Sequence, residues 1–375
     1  METNTLNNLH LKECDNIIML SDIHFGVRNN SIEWLENICD YFYNFFIPFL
    51  KKNANDKTTI VITGDVFDSR QSIDIRVLST SLDIIKDILK SNSNIEIIIV
   101  EGNHDSYKKR ENDITSLSIF KSIDRVYVIQ EPTIEILIDN TKLLFLPWFG
   151  DMKQQNEVIN EVDADFVFMH NDITSAYYDN GRPIINGVNI STIKNKKVYS
   201  GHIHRRYDGK KYTYVGTPYQ LRRSDIGNEK GIYMLIKGKN KWQEKFFLNN
   251  YSPKFLKVNI EDILEKTLPE LESIFKNNYV DIIVNKKYCK YLNQQKVLDL
   301  LSIFKYKKIH FEVKNEIETQ SGDVITNNNE TFDEIINKKI TNDKSINDKQ
   351  RKELLELNKN YLSDAFKSLE HLMDV

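Results

Sequence analysis

Residues 95–105 read IEIIIVEGNHD, a run rich in isoleucine that ends in glutamate, glycine, asparagine, histidine and aspartate. A short Ile- and Val-rich run bounded by turn-forming residues is typical of a buried β-strand. Asparagine, histidine and aspartate are also residue types that bind divalent metals. The stretch therefore predicts a buried strand whose carboxyl end carries metal-binding side chains.

The same arrangement recurs elsewhere in the chain, and helical patterns separate its early copies. Apolar side chains return every three to four positions in 31–50 and 72–90, which predicts amphipathic helices. This alternation predicts an α/β fold for the first 120 residues or so. From about 126 to 250 strand patterns dominate, which predicts a second sheet packed on the first in a two-sheet sandwich flanked by helices. The further strand runs are NIIML (16–20), TTIVIT (58–63), DFVFM (165–169) and KKVYS (196–200).

Further units follow Pro253. A strand–helix–strand–helix–strand pattern predicts a small α+β capping domain over 253–314, in addition to a main domain over 1–252. Residues 315–330 are polar and rich in asparagine, which indicates a linker. Residues 331–375 carry an apolar face at helical spacing and predict a C-terminal helical tail.

Composition limits the functional classes. The 375 residues include 40% hydrophobic residues, enough for a sizeable core, and the net charge of −3 leaves the choice of partner to local charge. No export signal or membrane-length apolar run is visible, so we expect an intracellular, cytoplasmic protein, in the host cell if it is phage-encoded. Cys14, Cys39 and Cys289 form no CxxC pair, which argues against a disulfide framework and a thiolate zinc site.

Metal-binding residue types follow five of the predicted strands. Because ligands of open α/β sheets bind beyond the carboxyl ends of strands, we expect these side chains to converge on one crevice. Asp22/His24 and His202/His204 are each separated by one residue, and in an extended segment both members of such a pair face the same way. The candidate residues are Asp22, His24, Asp65, Asn103, His104, Asp105, His170, His202 and His204.

In this order, D-x-H, G-D, G-N-H-D, H and G-H-x-H resemble the calcineurin-like metallophosphoesterase superfamily. GDVFDSR (64–70), LFLPW (144–148) and YVGTPYQLRRSDIGNEKGIYML (214–235) narrow the resemblance to SbcD-type DNA double-strand-break nucleases, especially the nuclease subunits of T-even-type phage recombination complexes. The resemblance covers about residues 16–250. Asp68 stands where eukaryotic and archaeal relatives usually have a histidine, so a second catalytic histidine is not carried over.

The resemblance implies a role for each candidate residue. Two divalent ions, most consistent with manganese, would activate a bridging hydroxide for phosphodiester hydrolysis. His104 would be the acid/base residue, supported by Asp105. One ion would be held by Asp22, His24 and His204, the other by Asn103, His170 and His202, and Asp65 would bridge both.

Local charge and the resemblance indicate the partners. Between Lys194 and Arg223 there are nine Lys or Arg and one acid, which suits DNA phosphates. The resemblance implies an SMC-like, ABC-type ATPase (SbcC-like) bound by the tail, and a homodimer through helices near 72–90 and 113–122 within a heterotetramer. It also implies that the capping domain at 253–314 binds DNA. The predicted DNA-binding residues are Lys108, Lys109, Arg110, Arg205, Arg206, Arg222 and Arg223.

The sequence thus favours the nuclease subunit of an ATP-regulated recombination and repair complex, with exonuclease and endonuclease activity not distinguished. Two alternatives remain open. One is a stand-alone phosphoesterase acting on nucleotides or phosphoproteins, although GDVFDSR lacks the D-R-G ending of protein phosphatases. The other is an inactive scaffold that binds DNA or a partner, for which degenerate ligand positions would be the expected sign.

Overall fold

The computed structural model describes residues 7–9, 11, 13–108, 111–148, 151–193, 196–239, 241–285 and 294–314, together with eight residues between 341 and 356. The chain divides into two compact units, 1–315 and 316–375. Lys109, Arg110 and the predicted linker lie outside the described residues, as does most of the predicted tail. No helix in the described part of the chain has the length and apolar character needed to cross a membrane.

A six-stranded mixed sheet carries the first three strand-end motifs. Its order is β15-β14-β2-β3-β4-β7, and β2, β3, β4 and β7 run parallel. Every residue of β2, β3 and β4 is buried, as expected for strands covered on both faces. The strands are β2 Asn16–Leu20, β3 Thr58–Ile62, β4 Glu96–Val100, β7 Val126–Ile129, β14 Gly231–Lys237 and β15 Trp242–Leu248.

A seven-stranded sheet carries the other two motifs. Its order is β1-β8-β9-β10-β11-β13-β12, with β9, β10, β11 and β13 parallel. Strands β5 and β6 form a separate hairpin. The strands are β1 Asn7–Asn8, β5 Ser106–Lys108, β6 Glu111–Thr115, β8 Thr133–Ile136, β9 Lys142–Leu146, β10 Phe166–His170, β11 Lys197–Gly201, β12 Tyr207–Asp208 and β13 Tyr212–Tyr214.

The division of the chain between the two sheets differs from the sequence-based expectation. We expected the strands from 126 to 250 to form the second sheet, but β7, β14 and β15 belong to the first. Strand β14 pairs antiparallel with β2, from Tyr233 opposite Met19 to Ile236 opposite Asn16. This pairing satisfies backbone groups of β2 that would otherwise be left at a buried sheet edge.

Helices flank both sheets, as the predicted sandwich requires: those within 27–91 cover the outer face of the first sheet, the helix at 152–161 packs on the second, and those after residue 253 pack on the small sheet. The predicted helix at 31–50 is continuous but contains a π-helical segment at Phe42–Phe46. The helices are α1 Val27–Asn30, a short turn, α2 Ile32–Tyr41, α3 Ile47–Asn53, α4 Ile75–Ser91, α5 Met152–Glu161, α6 Ile260–Glu265, α7 Leu268–Phe275 and α8 Gln294–Leu301, with 3-10 turns at Ser116–Phe120, Arg223–Asp225 and Ser302–Phe304.

Residues 253–314 contain the predicted order of elements in a three-stranded, wholly parallel sheet. Strands β16 (Phe255–Asn259), β17 (Tyr279–Asn285) and β18 (Lys308–Lys314) lie side by side. Trp34 of α2 stacks on Phe255 and Tyr279, with ring centroids 6.1 and 5.6 Å apart. Residues 253–314 therefore pack directly on helix α2 and belong to the same compact unit as the two large sheets, 1–315.

Alternate residues of the parallel strands build two cores. In β2, Ile18 and Leu20 pack with the helices, whereas Ile17 and Met19 pack with Phe145 and residues of the other sheet. Packing on both faces fixes the register, because a one-residue slip would exchange the two sets of side chains. The carboxyl ends of the strands are therefore held at fixed heights along one edge of the sandwich.

Candidate metal centre

The carboxyl ends of β2, β3, β4, β10 and β11 bring the candidate residues together. Seven side chains named from the sequence face one another across the edge where the two sheets meet. They form three overlapping groups of ligand atoms, each with its atoms within 4.8 Å of one another: Asp22, His24 and His204; His24, Asp65 and His104; and Asp65, His170 and His202.

The first cluster joins the end of β2 to the segment after β11. His24 Nε2 lies 3.0 Å from His204 Nε2. Asp22 Oδ1 lies 4.0 Å from His24 Nε2 and 3.8 Å from His204 Nε2. The Asp65 carboxylate approaches from β3, with Oδ2 3.9 Å from His24 Nε2.

The second cluster surrounds the amide oxygen of Asn103. Asn103 Oδ1 lies 3.0 Å from His170 Nε2 and 2.8 Å from His202 Nδ1. Asp65 Oδ1 lies 3.3 Å from His170 Nε2. Asp65 therefore faces both clusters, with one carboxylate oxygen toward each.

The backbone at the strand ends departs from the extended geometry used in the sequence argument. Asp22 and His24 have φ values of 51° and 54°, and Asp65 and His202 have 50° and 82°. Our reason for pairing Asp22 with His24, alternation along an extended segment, is therefore wrong. Left-handed backbone at non-glycine residues costs free energy and is concentrated at functional sites, where surrounding contacts hold it in place.

Glycines before three of these residues allow the sheets to approach closely. A Cβ atom on Gly102 would lie 2.3 Å from Asp65 Oδ1, and one on Gly201 would lie 2.2 Å from Ser21 Oγ and Thr63 O. A Cβ on Gly64 would lie 2.3 Å from His170 Nδ1. Only a residue without a side chain fits these positions while the neighbouring ligand atoms stay in place.

His104 and Asp105 follow Asn103 but occupy different environments. The His104 backbone N–H donates to Asp65 Oδ1 at 2.8 Å, and its half-buried ring places Nδ1 2.6 Å from the Asp68 carbonyl oxygen. Because a carbonyl can only accept, Nδ1 carries the proton and Nε2 is left for other contacts. Buried Asp105 accepts backbone N–H groups of Phe67 and Gly102, so it braces the β3 and β4 loops.

The protein groups strongly perturb one another's ionisation. Burial raises the pKa of Asp22. Burial alone would lower the pKa of His170, but the Asp65 carboxylate outweighs it and raises that pKa to about 9. Burial and the charge of Asp65 raise the pKa of Asp105 to about 7. Burial, with His24 and Arg222 acting in the same direction, lowers the pKa of His204.

The donor atoms of the second cluster fit a cation. His170 Nδ1 donates to the Thr63 carbonyl at 2.7 Å, so in the neutral ring the lone pair of Nε2 points at Asn103 Oδ1 and Asp65 Oδ1. Without an ion, the raised pKa of His170 keeps a proton on Nε2 between these two oxygens, and a metal cation can take the place of that proton. Nitrogen and oxygen ligands without sulfur suit manganese, iron or zinc.

His204 fits a cation through Nε2 only if one contact changes. Arg222 Nη2 donates to His204 Nδ1 at 3.1 Å, which leaves the proton of the neutral ring on Nε2. Ligation through Nε2 requires that proton on Nδ1, where Arg222 could no longer donate. Arg222 also pairs with Asp179, so this carboxylate can retain the guanidinium when it leaves His204.

The predicted DNA-binding residues are not equivalent. Arg206 pairs with Asp208 and Glu229 and lies over the Phe246 ring, 4.0 Å from its centroid. Arg223 makes two hydrogen bonds to Asp281, at 2.6 and 2.9 Å. These internal ion pairs argue against phosphate binding as the main role of Arg206 and Arg223. Arg205 is exposed, and no acid pairs with its guanidinium in the described part of the chain.

Two residues at the site were missed as candidates. The Trp148 ring lies 5.2 Å from that of His202, and Asp172 Oδ1 lies 3.5 Å from His202 Nε2. Trp148 belongs to the LFLPW stretch, and Asp172 follows His170 by two residues. The signal that could have identified them is their position immediately after β9 and β10, where the same rule identified the other candidates.

Residues 16–206, just over half of the chain, match the calcineurin-like phosphoesterase family model. The protein therefore belongs to this family, and the resemblance drawn from its motifs is confirmed. The described residues include His/Asp clusters that can bind metal, as a phosphoesterase of this family requires.

Among individual relatives, exonuclease subunit 1 of Enterobacteria phage T4 is 26% identical over 223 residues, which are 58% of this chain and 63% of the phage protein. A dimetal phosphatase from Danio rerio is 10% identical with a TM-score of 0.42, over 64% of this chain and all of that one. A protein of unknown function from Aquifex aeolicus is 18% identical with a TM-score of 0.26, over 44% of this chain and 80% of that one. Neither structural likeness is close enough to carry an argument about function.

Proposed function

We propose that the protein is a metal-dependent DNA nuclease, the nuclease subunit of an ATP-regulated recombination and repair complex. The observation that carries the proposal is the position of Asp65 between two clusters of imidazole, amide and carboxylate donors. The phage relative is named as an exonuclease subunit, which supports a DNA substrate and a partner subunit. Arg205 beside His204, exposed and paired with no acid among the described residues, supports contact with a phosphate backbone.

Two divalent ions, with manganese as the preferred metal, would occupy the two clusters. Asp22, His24 and His204 would hold one ion and Asn103, His170 and His202 the other, with Asp65 bridging. Bound there, the ions would supply Lewis acidity and neutralise the charge of the phosphodiester during an in-line displacement. Buried Asp22 and Asp65 offset the positive charge of the ions.

The chain itself would provide the proton transfer and the positioning. His104 stands outside the tightest donor contacts, and its Nδ1–H is held by the Asp68 carbonyl. In the imidazolium form the ring carries a second proton on Nε2, which it would donate to the departing oxygen. Asp105 would support this step indirectly, because it fixes the backbone of the loops that carry Asp65 and His104. His104 is therefore the proposed catalytic residue and Asp105 a positioning residue.

The proposed partners rest on the family resemblance and on the phage relative. We propose an SMC-like ATPase bound by residues 331–375 and a homodimer of this chain within a heterotetramer. Helix α4 and the 3-10 turn Ser116–Phe120 lie in the two segments proposed for the dimer contact. Val77, Ile84 and Leu117 of these segments are buried in the core, so a contact would use their outer faces.

The central test is cleavage of linear duplex, single-stranded and plasmid DNA with manganese, comparing the wild-type chain with Asp65→Asn. We expect the variant to lose at least about 100-fold in rate, because removing the shared charge weakens both metal positions. Manganese should also raise the melting temperature of the wild-type chain but not of the variant. Unchanged DNA cleavage by Asp65→Asn would overturn the assignment. Hydrolysis of nucleotides or phosphopeptides but not DNA would indicate a stand-alone phosphoesterase.

A further inference from the structure

A cleft lined by tyrosines lies beside the proposed metal centre, and these tyrosines have no role in the function proposed above. Its volume is about 450 Å³, within the range of about 300–1,000 Å³ typical of ligand pockets. Five tyrosines and an arginine supply most of its lining side chains: Tyr177, Tyr178, Tyr207, Tyr212, Tyr214 and Arg205.

The rings of the cleft are partly stacked and partly open. Tyr207 and Tyr212 are stacked, with centroids 5.1 Å apart and planes inclined by 27°. Tyr207 and Tyr177 nevertheless keep 50% and 64% of their surface exposed. Exposed aromatic faces grouped around one cleft form a platform on which a planar group can stack.

The charge of the cleft and its link to the metal centre indicate which planar group it accepts. Arg205 directly follows His204, and within the described residues its guanidinium is paired with no acid. Elsewhere in the lining, the Tyr178 hydroxyl donates to Asp172 Oδ2 at 3.0 Å, and Asp172 Oδ1 lies 3.5 Å from His202 Nε2. A strand whose phosphate lies at the metal centre could therefore place a neighbouring base among the tyrosines.

We propose that this tyrosine cleft binds an unpaired nucleobase of single-stranded DNA next to the phosphodiester at the metal centre. The inference rests on the proposed function and deepens it, because it states that the strand being cut is unpaired where its base enters the cleft. Bases in a duplex are stacked on one another and present no free face, whereas an unpaired base can stack on tyrosine while Arg205 contacts the adjacent phosphate.

The test measures binding of a short fluorescent oligothymidylate to the full-length chain in EDTA, where metal-dependent cleavage is blocked. Tyr177→Ala and Tyr207→Ala combined should raise the Kd at least about tenfold, since the stacking of bases on aromatic rings is a major part of single-strand affinity. Tyr177→Phe and Tyr207→Phe keep the rings and should bind like the wild-type chain. Tyr251→Ala removes a tyrosine outside the cleft that is also exposed, at 43%, and serves as the control.

An abasic oligonucleotide of equal length and charge keeps the test independent of variant folding. It should bind the wild-type chain about tenfold more weakly and show no further loss with the alanine variant. Equal binding of abasic and normal strands by the wild-type chain, or an equal loss for blunt duplex and single strand in the alanine variant, would overturn the cleft assignment. Binding that follows these expectations without any DNA cleavage would retain the cleft and overturn only the nuclease proposal.

Discussion

His104 is the residue whose surroundings best separate proton transfer from metal binding. Its Nδ1 is engaged by the Asp68 carbonyl, whereas the Nε2 atoms of His24 and His204 face each other at 3.0 Å. His104 also lies within ligand distance of His24 and Asp65, so geometry alone also permits a role as a ligand. Loss of a ligand lowers the metal content, whereas loss of a proton donor does not, so one substitution of His104 can distinguish the two roles.

We expect His104→Gln to lower the rate of manganese-dependent cleavage by about 10²–10⁴ and to leave the metal content unchanged, because glutamine cannot donate and recover a proton as imidazole does. Metal analysis after dialysis and single-turnover kinetics provide the two readings. His310→Gln, at an exposed histidine of β18, is the matched control and should retain full activity. Loss of one metal equivalent from the His104 variant would make it a ligand.

Gly201 tests the close approach of the two sheets. Its added Cβ would lie 2.2 Å from Thr63 O and 2.7 Å from His170 Nδ1, so Gly201→Ala must displace backbone or a proposed ligand. We expect a loss of about 1–3 kcal/mol in the free energy of unfolding, measured with urea, and loss of cleavage. Gly227→Ala is the control: its φ of 77° costs about 1–2 kcal/mol but nothing lies within 4 Å, so cleavage should persist. Full cleavage by Gly201→Ala would contradict the steric argument.

At the scale of elements, the strands that carry the site could be predicted, but their sheet membership could not. NIIML, TTIVIT and IEIIIV are rich in Ile and Val and do not alternate between apolar and polar residues, because β2, β3 and β4 are covered on both faces. Strand β14 has a similar pattern, yet its partner is β2, more than 200 residues earlier. An apolar pattern indicates that a strand is buried, but it does not indicate which strand lies beside it. The neighbouring strand is set by long-range packing.

The same distinction applies to the residues of the site. Position after a strand identified Asp22, Asp65, Asn103, His170 and His202, because parallel strands share one carboxyl edge. The left-handed backbone of Asp22 and His24 could not be read from the sequence, since neither residue type requires it. Nor could the ion pair that engages Arg223, because its partner Asp281 lies in the small parallel sheet, far along the chain.

That ion pair joins the 3-10 turn Arg223–Asp225 to β17. We expect Arg223→Ala to lower the free energy of unfolding by about 1–2 kcal/mol, a value reduced for solvent screening because the Arg223 side chain is 55% exposed. A double-mutant cycle with Asp281→Asn, monitored by urea denaturation, gives the interaction free energy of the Arg223–Asp281 pair. Arg205→Ala should leave stability unchanged and weaken DNA binding. If Arg223→Ala instead weakened DNA binding and Arg205→Ala lowered stability, Arg223 would be the DNA contact.

For the whole molecule, the boundary at 315/316 separates the site from the predicted tail. All proposed ligands and both cores lie within the first compact unit. We expect a chain ending at residue 330 to remain folded and to keep manganese-dependent cleavage, but to lose its ATPase partner, because the amphipathic face of 331–375 would form that contact. Co-purification of the two chains measures the loss. Full-affinity binding by the truncated chain would contradict the tail assignment, and an insoluble product would indicate that the tail packs on its own chain.

The pairing of β14 with β2 has a consequence for synthesis on the ribosome. Every proposed metal ligand lies between residues 22 and 204, yet the edge of β2 is covered only by residues 233–236. A nascent chain that has just exposed its last ligand therefore still carries an open strand, apolar over residues 17–20, beside an unfinished sheet, which invites pairing with another chain. The last proposed ligand and the strand that covers β2 thus emerge in that order during translation, so a fragment ending at residue 206 should contain every proposed ligand and still aggregate.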